Sequence, residues 1–187
     1  VIGKQVGYSV AKGHILGPSG PLSYVMGAPS THFYKGAVYL CTDCFGTDDN
    51  VTAQMKTDFK SFKNWQTRPH LKMGEGFGMA VTTCDINGDG LDDLIVGSPL
   101  FAADSTSYNT GRVHAILSEV TEKNSNQWAN LAPEETVVRP DIPVNGAMFG
   151  AAVSCLGDTD SDGMEEVVVG VPGENAVYVY RFNRDNN

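Results

Sequence analysis

The stretch from Phe77 to Pro99, FGMAVTTCDINGDGLDDLIVGSP, constrains this chain more than any other. Two short apolar runs, Met79-Ala80-Val81 and Leu94-Ile95-Val96, flank an acidic loop, Asp85-Ile86-Asn87-Gly88-Asp89-Gly90-Leu91-Asp92-Asp93. The loop has oxygen-bearing side chains at positions 1, 3, 5 and 9 and glycines at positions 4 and 6. Calcium takes roughly six to eight oxygen ligands, and alternate residues of a tight loop can point inward together. Asp85, Asn87, Asp89 and Asp93 are therefore candidate ligands. Gly90 can take φ > 0, which lets the backbone carbonyl of Leu91 join them. An EF-hand would need a bidentate Glu at position 12 and a helix on each side. Position 12 is Val96, and the flanks are short, β-branched and closed by Gly97-Ser98-Pro99, so they read as strands. The competing reading is a solvated acidic turn without metal. It leaves crowded carboxylates with no cation to offset their repulsion.

The same unit recurs. A third copy, FGAAVSCLGDTDSDGMEEVVVGVP, runs from Phe149 to Pro172, and a degenerate first copy, GYSVAKGHILGPSGPLSYVMGAP, from Gly7 to Pro29. The opening glycines Gly7, Gly78 and Gly150 are 71 and 72 residues apart, and the closing glycines Gly27, Gly97 and Gly170 are 70 and 73 apart. Such a period is the signature of a repeat architecture. The third copy offers a second cation loop with Asp158, Asp160, Asp162, the carbonyl of Met164 and Glu166 as ligands, the last one methylene longer than its Asp counterpart. In the first copy His14 stands where the first Asp should be and Ser19 is the only side-chain oxygen, so a metal-free turn is expected. Each unit returns with a further strand: Ala37–Leu40, Arg112–Ile116 and Ala176–Tyr180. Fourth, more polar strands are expected at Asn64–Arg68 and Thr136–Arg139. Four antiparallel strands per repeat make a β-propeller blade. The predicted fold is all-β, one partial propeller domain. Residues 1–73 form a blade without a metal loop, 74–145 a blade with one, and 146–187 an incomplete blade with one.

Composition narrows the function. With 21 Gly and 9 Pro punctuating short apolar runs, helical periodicity is scarce. A net charge of −9 argues against nucleic acid as a partner. No apolar run approaches the roughly 20 residues of a membrane span, so no membrane contact by this stretch is expected. The chain begins and ends mid-pattern, without a targeting segment, and reads as an excerpt of something longer. Cys41 and Cys44 have CxxC spacing, open to a local disulfide, free thiols, or metal and redox chemistry. Cys84 and Cys155 lie at similar points of two repeats beside apolar runs and are expected as unpaired core cysteines. His14, His32, His70 and His114 are scattered, and no GxSxG elbow or HExxH pair occurs, so no enzyme is expected. Asn50-Val51-Thr52 is an N-glycosylation sequon in a polar stretch.

FG…DINGDGLDD…VGSP and FG…GDTDSDGMEE…VGVP resemble FG-GAP repeats with their calcium loops, and the order of three copies resembles the α subunits of integrins. The resemblance covers Gly7 to Tyr180 and includes the G-Y-S-V opening of the metal-free unit. It implies three blades of a seven-bladed propeller with two calcium ions. The parent would be the extracellular part of a plasma-membrane adhesion receptor that pairs with an integrin β subunit. Matrix or cell-surface ligands would bind on the face opposite the calcium loops. That face would include Ser30–Lys35 and Ala102–Thr110, with Tyr34 and Tyr108 as candidate contacts. The stretch Ile2-Gly3-Lys4-Gln5-Val6 lacks the carboxylate found before such openings in receptors of Arg-Gly-Asp ligands, so laminin-like or other ligands become as plausible. Two alternatives from other classes are an accessory FG-GAP propeller of a secreted enzyme such as GPI-specific phospholipase D, and a calcium-binding lectin-like module.

Overall fold

The structure is a computed structural model that describes residues 5–15, 20, 22–41, 60–61, 71–118, 131–138, 140 and 143–182. Its described strands form three antiparallel sheets, each a meander in chain order. The first contains β1 (Val10–Gly13), β2 (Ser23–Gly27), β3 (Val38–Cys41) and β4 (Lys60–Ser61). The second contains β5 (Ala80–Cys84), β6 (Asp93–Ser98), β7 (Arg112–Ser118) and β8 (Leu131–Val138). The third contains β9 (Ala152–Gly157), β10 (Glu166–Val171) and β11 (Ala176–Tyr180). A single helical turn, Thr31–Tyr34, and a 3-10 turn, Pro172–Glu174, lie between the second and third strands of their sheets. This is the expected all-β arrangement of propeller blades.

The fourth strands need one adjustment. β3 pairs with Lys60–Ser61, upstream of the expected Asn64–Arg68, which lies outside the described residues. In the second sheet the expected Thr136–Arg139 is the end of a longer strand, β8, and Arg139 lies outside the described residues.

First strands of neighbouring sheets lie side by side, β1 against β5 and β5 against β9, so the sheets converge there and stack face to face. The second sheet is consequently buried on both faces. Its strands alternate with period two. Val81, Leu94, Val96 and Ile116 turn toward the first sheet, where Val25, Val38, Leu40 and Phe77 complete a core. Cys84, Ile95, Val113 and Ala115 turn toward the third sheet, into a second core with Phe149, Val167, Val169 and Val171. Neither core belongs to a single repeat, so each unit depends on its neighbour for burial.

The glycines of the motif set the spacing of the stack. A Cβ on Gly27 would lie 1.9 Å from the Gly78 carbonyl oxygen, and one on Gly97 would lie 2.1 Å from that of Gly150. The closing glycine of each blade thus receives the opening glycine of the next. Gly97→Ala is expected to cost about 3 kcal/mol, because the obstacle is backbone that cannot rotate away. A denaturant midpoint within error of the parent would show that the blades can move apart at little cost.

The third unit has one more residue than the second between its FG pair and its acidic loop. A β-bulge absorbs it: the β9–β10 register shifts between Glu166 and Val167, so that Leu156 is left without a paired partner. The loop therefore keeps its place at the strand end.

One expectation is overturned. Cys84 and Cys155 are not free core thiols but a disulfide, with Cα atoms 5.4 Å apart. Both cysteines lie toward the loop ends of the first strands of stacked repeats, and β5 and β9 are the strands that lie closest across the inter-blade gap. Cys41 is also disulfide-bonded, which removes the free-thiol alternative for it; its partner lies outside the described residues. Asn50 lies outside them as well.

Candidate functional site

Connections of an antiparallel meander alternate between its two ends. The two acidic loops join first to second strands, β5 to β6 and β9 to β10, and so share one end of the stack. The connections carrying Tyr34 and Tyr108 join second to third strands and lie at the other.

In the first loop Asp85 is the organiser. Its Oδ1 accepts the amides of Gly88 at 2.8 Å and Asp89 at 3.1 Å, and its Oδ2 accepts that of Gly90 at 2.9 Å. Asn87 Oδ1 accepts the Asp89 amide at 3.0 Å, and Asp89 Oδ1 the Leu91 amide at 2.8 Å. Gly90 has φ +85°, as the turn toward the Leu91 carbonyl requires. Asp93, fully buried, accepts the Ile86 amide at 3.2 Å and the Ser118 amide at 2.7 Å. The second loop repeats the pattern. Asp158 accepts the amides of Asp162 at 3.2 Å and Gly163 at 3.0 Å, and Asp162 accepts that of Met164 at 2.9 Å. Glu166 accepts the Thr159 amide at 2.7 Å, as Asp93 accepts that of Ile86.

The donor set fits a hard cation on three observations. Asp158, Asp160 and Glu166 bring one carboxylate oxygen each to within 4.8 Å of one another. Among the described residues no other three carboxylates gather so closely. Glu166 is 3% exposed, and its Oε1 is buried without a hydrogen-bond partner. Leaving such an oxygen unpaired is costly unless a cation takes it up. The Arg181 guanidinium pairs with Asp160 and lies 3.8 Å from Asp162, so a protein charge offsets part of the loop's negative charge. The residues that would hold the ion are those at positions 1, 3, 5 and 9 of each loop, with the carbonyls of Leu91 and Met164.

In the first loop burial, and to a lesser degree neighbouring charge, registers on Asp93. Burial pushes its carboxyl up to about 7, and the Asp89 and Asp85 charges add to the effect against the lowering by the Ser118 and Ile86 amides. The folded value lies above the ordinary 3.8, so without metal the folded chain holds this proton to higher pH than the unfolded chain. The stability so contributed is full below about pH 4 and is lost as pH rises through about 7. In chelator the melting temperature is expected to be about 2–4 °C higher at pH 6 than at pH 8. A cation needs Asp93 ionised, so the increment that calcium adds should grow over the same interval. Melting curves at both pH values, with calcium and with chelator, check this. Equal shifts in both media would remove Asp93 from the ligand set.

Two acidic residues carry a role that ligand spacing does not reveal. Asp92 and Glu165, at position 8 of the two loops, reach back to the preceding blade. Asp92 Oδ2 accepts the backbone amide of His14, and the Asp92 amide donates to the His14 carbonyl at 3.4 Å. Glu165 Oε2 accepts the Asp85 amide at 2.8 Å, and the Glu165 amide donates to the Asp85 carbonyl at 2.9 Å. The one signal available in the sequence is that both loops end in a pair of acidic residues, Asp92-Asp93 and Glu165-Glu166, where the expected ligand pattern uses only the second. His14, at the start of the turn expected to be metal-free, is thus bonded to a protein carboxylate.

At the other end Tyr34 is 65% and Tyr108 61% exposed. Their carbonyls accept the amides of Gly74 and Gly146, equivalent bonds in successive blades. Ser98 Oγ and His114 Nε2 approach to 3.1 Å, but both residues are fully buried and no substrate could reach them.

Comparison with known proteins decides what these blades belong to. The FG-GAP repeat family matches residues 77–116. Integrin alpha-4 of Xenopus laevis is 32% identical over 95% of this chain, integrin alpha-7 of Mus musculus 29% over 96%, and integrin alpha-PS5 of Drosophila melanogaster 30% over 94%. The chain is an FG-GAP propeller segment of the integrin α type. It spans only 15%, 13% and 15% of the length of those three relatives. In this integrin α segment the repeat match runs from the FG pair of the second blade into β7, across the acidic loop that has every side chain of the pattern. Matches to integrin α chains do not favour an accessory propeller of a secreted enzyme.

Proposed function

We propose that this integrin α segment is the calcium-braced part of an extracellular adhesion-receptor head. Its three blades, residues 1–73, 74–145 and 146–187, carry two calcium ions. Asp85, Asn87, Asp89, the Leu91 carbonyl and Asp93 hold one, and Asp158, Asp160, Asp162, the Met164 carbonyl and Glu166 the other. The observation that carries this reading is the buried, unpartnered Glu166 oxygen beside Asp158 and Asp160. The role is structural: bound calcium offsets the loop carboxylates and fixes the ends of β5, β6, β9 and β10. It activates no water and polarises no substrate, and the segment is not an enzyme. The head pairs with an integrin β subunit and presents Tyr34 and Tyr108, at the end away from the ions, to matrix or cell-surface ligands. Asn50 carries a glycan. Outside cells calcium fills sites with affinities on the order of 10⁻⁴ to 10⁻³ M.

Calorimetric titration with calcium tests the reading. Two ions should bind. Each should stabilise the fold by about 2.7 kcal/mol at a hundredfold excess over Kd. A folded sample that takes up no calcium would remove the metal role, and failure to co-purify with any integrin β subunit would remove the receptor role.

A further inference from the structure

Position 8 of the acidic loop makes the same contact at both blade junctions. The first pair, Asp92 on His14, meets a unit whose sequence lacks the loop ligands. The second, Glu165 on Asp85, joins two loops that each have a full ligand set. Asp85 is the residue whose carboxylate gathers the amides of Gly88, Asp89 and Gly90, so its backbone position sets the shape of the first loop. Glu165 precedes Glu166, whose buried oxygen awaits a positive partner in the second loop. An ion that draws in Glu166 therefore fixes the backbone of Glu165, and through two hydrogen bonds that of Asp85. The Cys84–Cys155 bridge stands beside this contact. Cys84 adjoins Asp85, and Cys155 Sγ lies 3.1 Å from Glu165 Oε2.

We propose that Glu165 is a positioning residue that couples the two cation loops, so that an ion in either loop raises the affinity of the other. The inference rests on the calcium reading above. Linkage makes the effect reciprocal: the first ion must favour the second by the same factor as the second favours the first.

The test is calcium calorimetry on the intact chain and on two variants, with amide exchange at Asp85 as a readout independent of metal. The parent should bind two ions cooperatively, the second about fivefold or more tighter than independent sites would allow. Glu165→Ala should still bind two ions, but independently, and the Asp85 amide should lose protection. Glu165→Gln keeps an acceptor oxygen at the same reach without the charge, and should retain most of the coupling. Two ions bound independently by the parent would overturn the coupling while leaving the calcium reading intact. No ion bound by the folded parent would overturn both. Loss of coupling in Glu165→Gln equal to that in Glu165→Ala would assign the effect to charge alone and overturn the positioning role. Should Glu165→Ala fail to fold, the parent isotherm and Glu165→Gln still decide the matter.

Discussion

Replacing Cys84 and Cys155 together by alanine is expected to lower the stability of the chain by about 4 kcal/mol. The bridge closes a loop between residues 71 apart, and by the chain-entropy relation a loop of that length restrains the unfolded chain by about that much. A second contribution comes from its place. Cys84 is fully buried in the core between the second and third blades, so the bridge also ties together two sheets that otherwise meet only through side-chain packing and loop hydrogen bonds. Reduction of the parent by excess dithiol should cost at least as much, because it also opens the bridge at Cys41, with two protein thiols formed for each dithiol oxidised. Denaturant unfolding of the parent, the single variants and the double variant separates the terms. Each single variant should lose as much as the double, because either one breaks the bridge. A double variant within about 1 kcal/mol of the parent would mean that packing alone holds the blades at this junction.

This bridge marks where the sequence stopped being legible. Repeat spacing, the FG and VG(S/V)P punctuation and the alternation of the return strands pointed to blades, and those strands are present at Val38–Cys41, Arg112–Ser118 and Ala176–Tyr180. All of these signals are local to one repeat. Apart from the motif glycines, where Gly27 meets Gly78 and Gly97 meets Gly150, contacts between repeats leave no such periodic mark. Cys84 and Cys155 read as unpaired because nothing in one dimension says that β5 and β9 lie face to face. The doubled acid at the end of each loop is visible, but its use is not: ligand spacing accounts for positions 1, 3, 5 and 9, while Asp92 and Glu165 at position 8 work across the junction. Polar residues in the second blade mislead in the opposite sense. In Arg112-Val113-His114-Ala115-Ile116 the alternation resembles a strand with one wet face, yet all five are buried, because a blade flanked on both sides has no wet face.

Arg112 supplies the other large expected effect, at the opposite end of the blades. Its Nη2 donates to Glu75 Oε2 at 2.6 Å, with both residues 1% exposed. Its guanidinium lies 4.2 Å from the Phe101 ring centroid, and the Lys72 ammonium lies 4.8 Å from that ring. The Leu100 amide donates to the Glu75 carbonyl at 3.0 Å, so the pair joins the segment entering the second blade to the connection between β6 and β7. Breaking a buried pair by removing one member leaves a charge without its counter-charge, and Arg112→Met is expected to cost about 3–5 kcal/mol. Combining it with Glu75→Leu should recover most of that loss, since an apolar pair of similar volume avoids the desolvation of both ions. Additive losses in the double variant would mean that the two residues act through separate partners. Calcium affinity gives the sharper discrimination. Arg112 begins β7, and the acidic loops lie at the far ends of the strands, where the cystine and the position-8 contacts hold the blades together. Arg112→Met should therefore lower the denaturant midpoint while leaving the calcium isotherm of the folded chain unchanged. A weakened isotherm would mean that the blade transmits strain along its whole length and that its two ends are not independent.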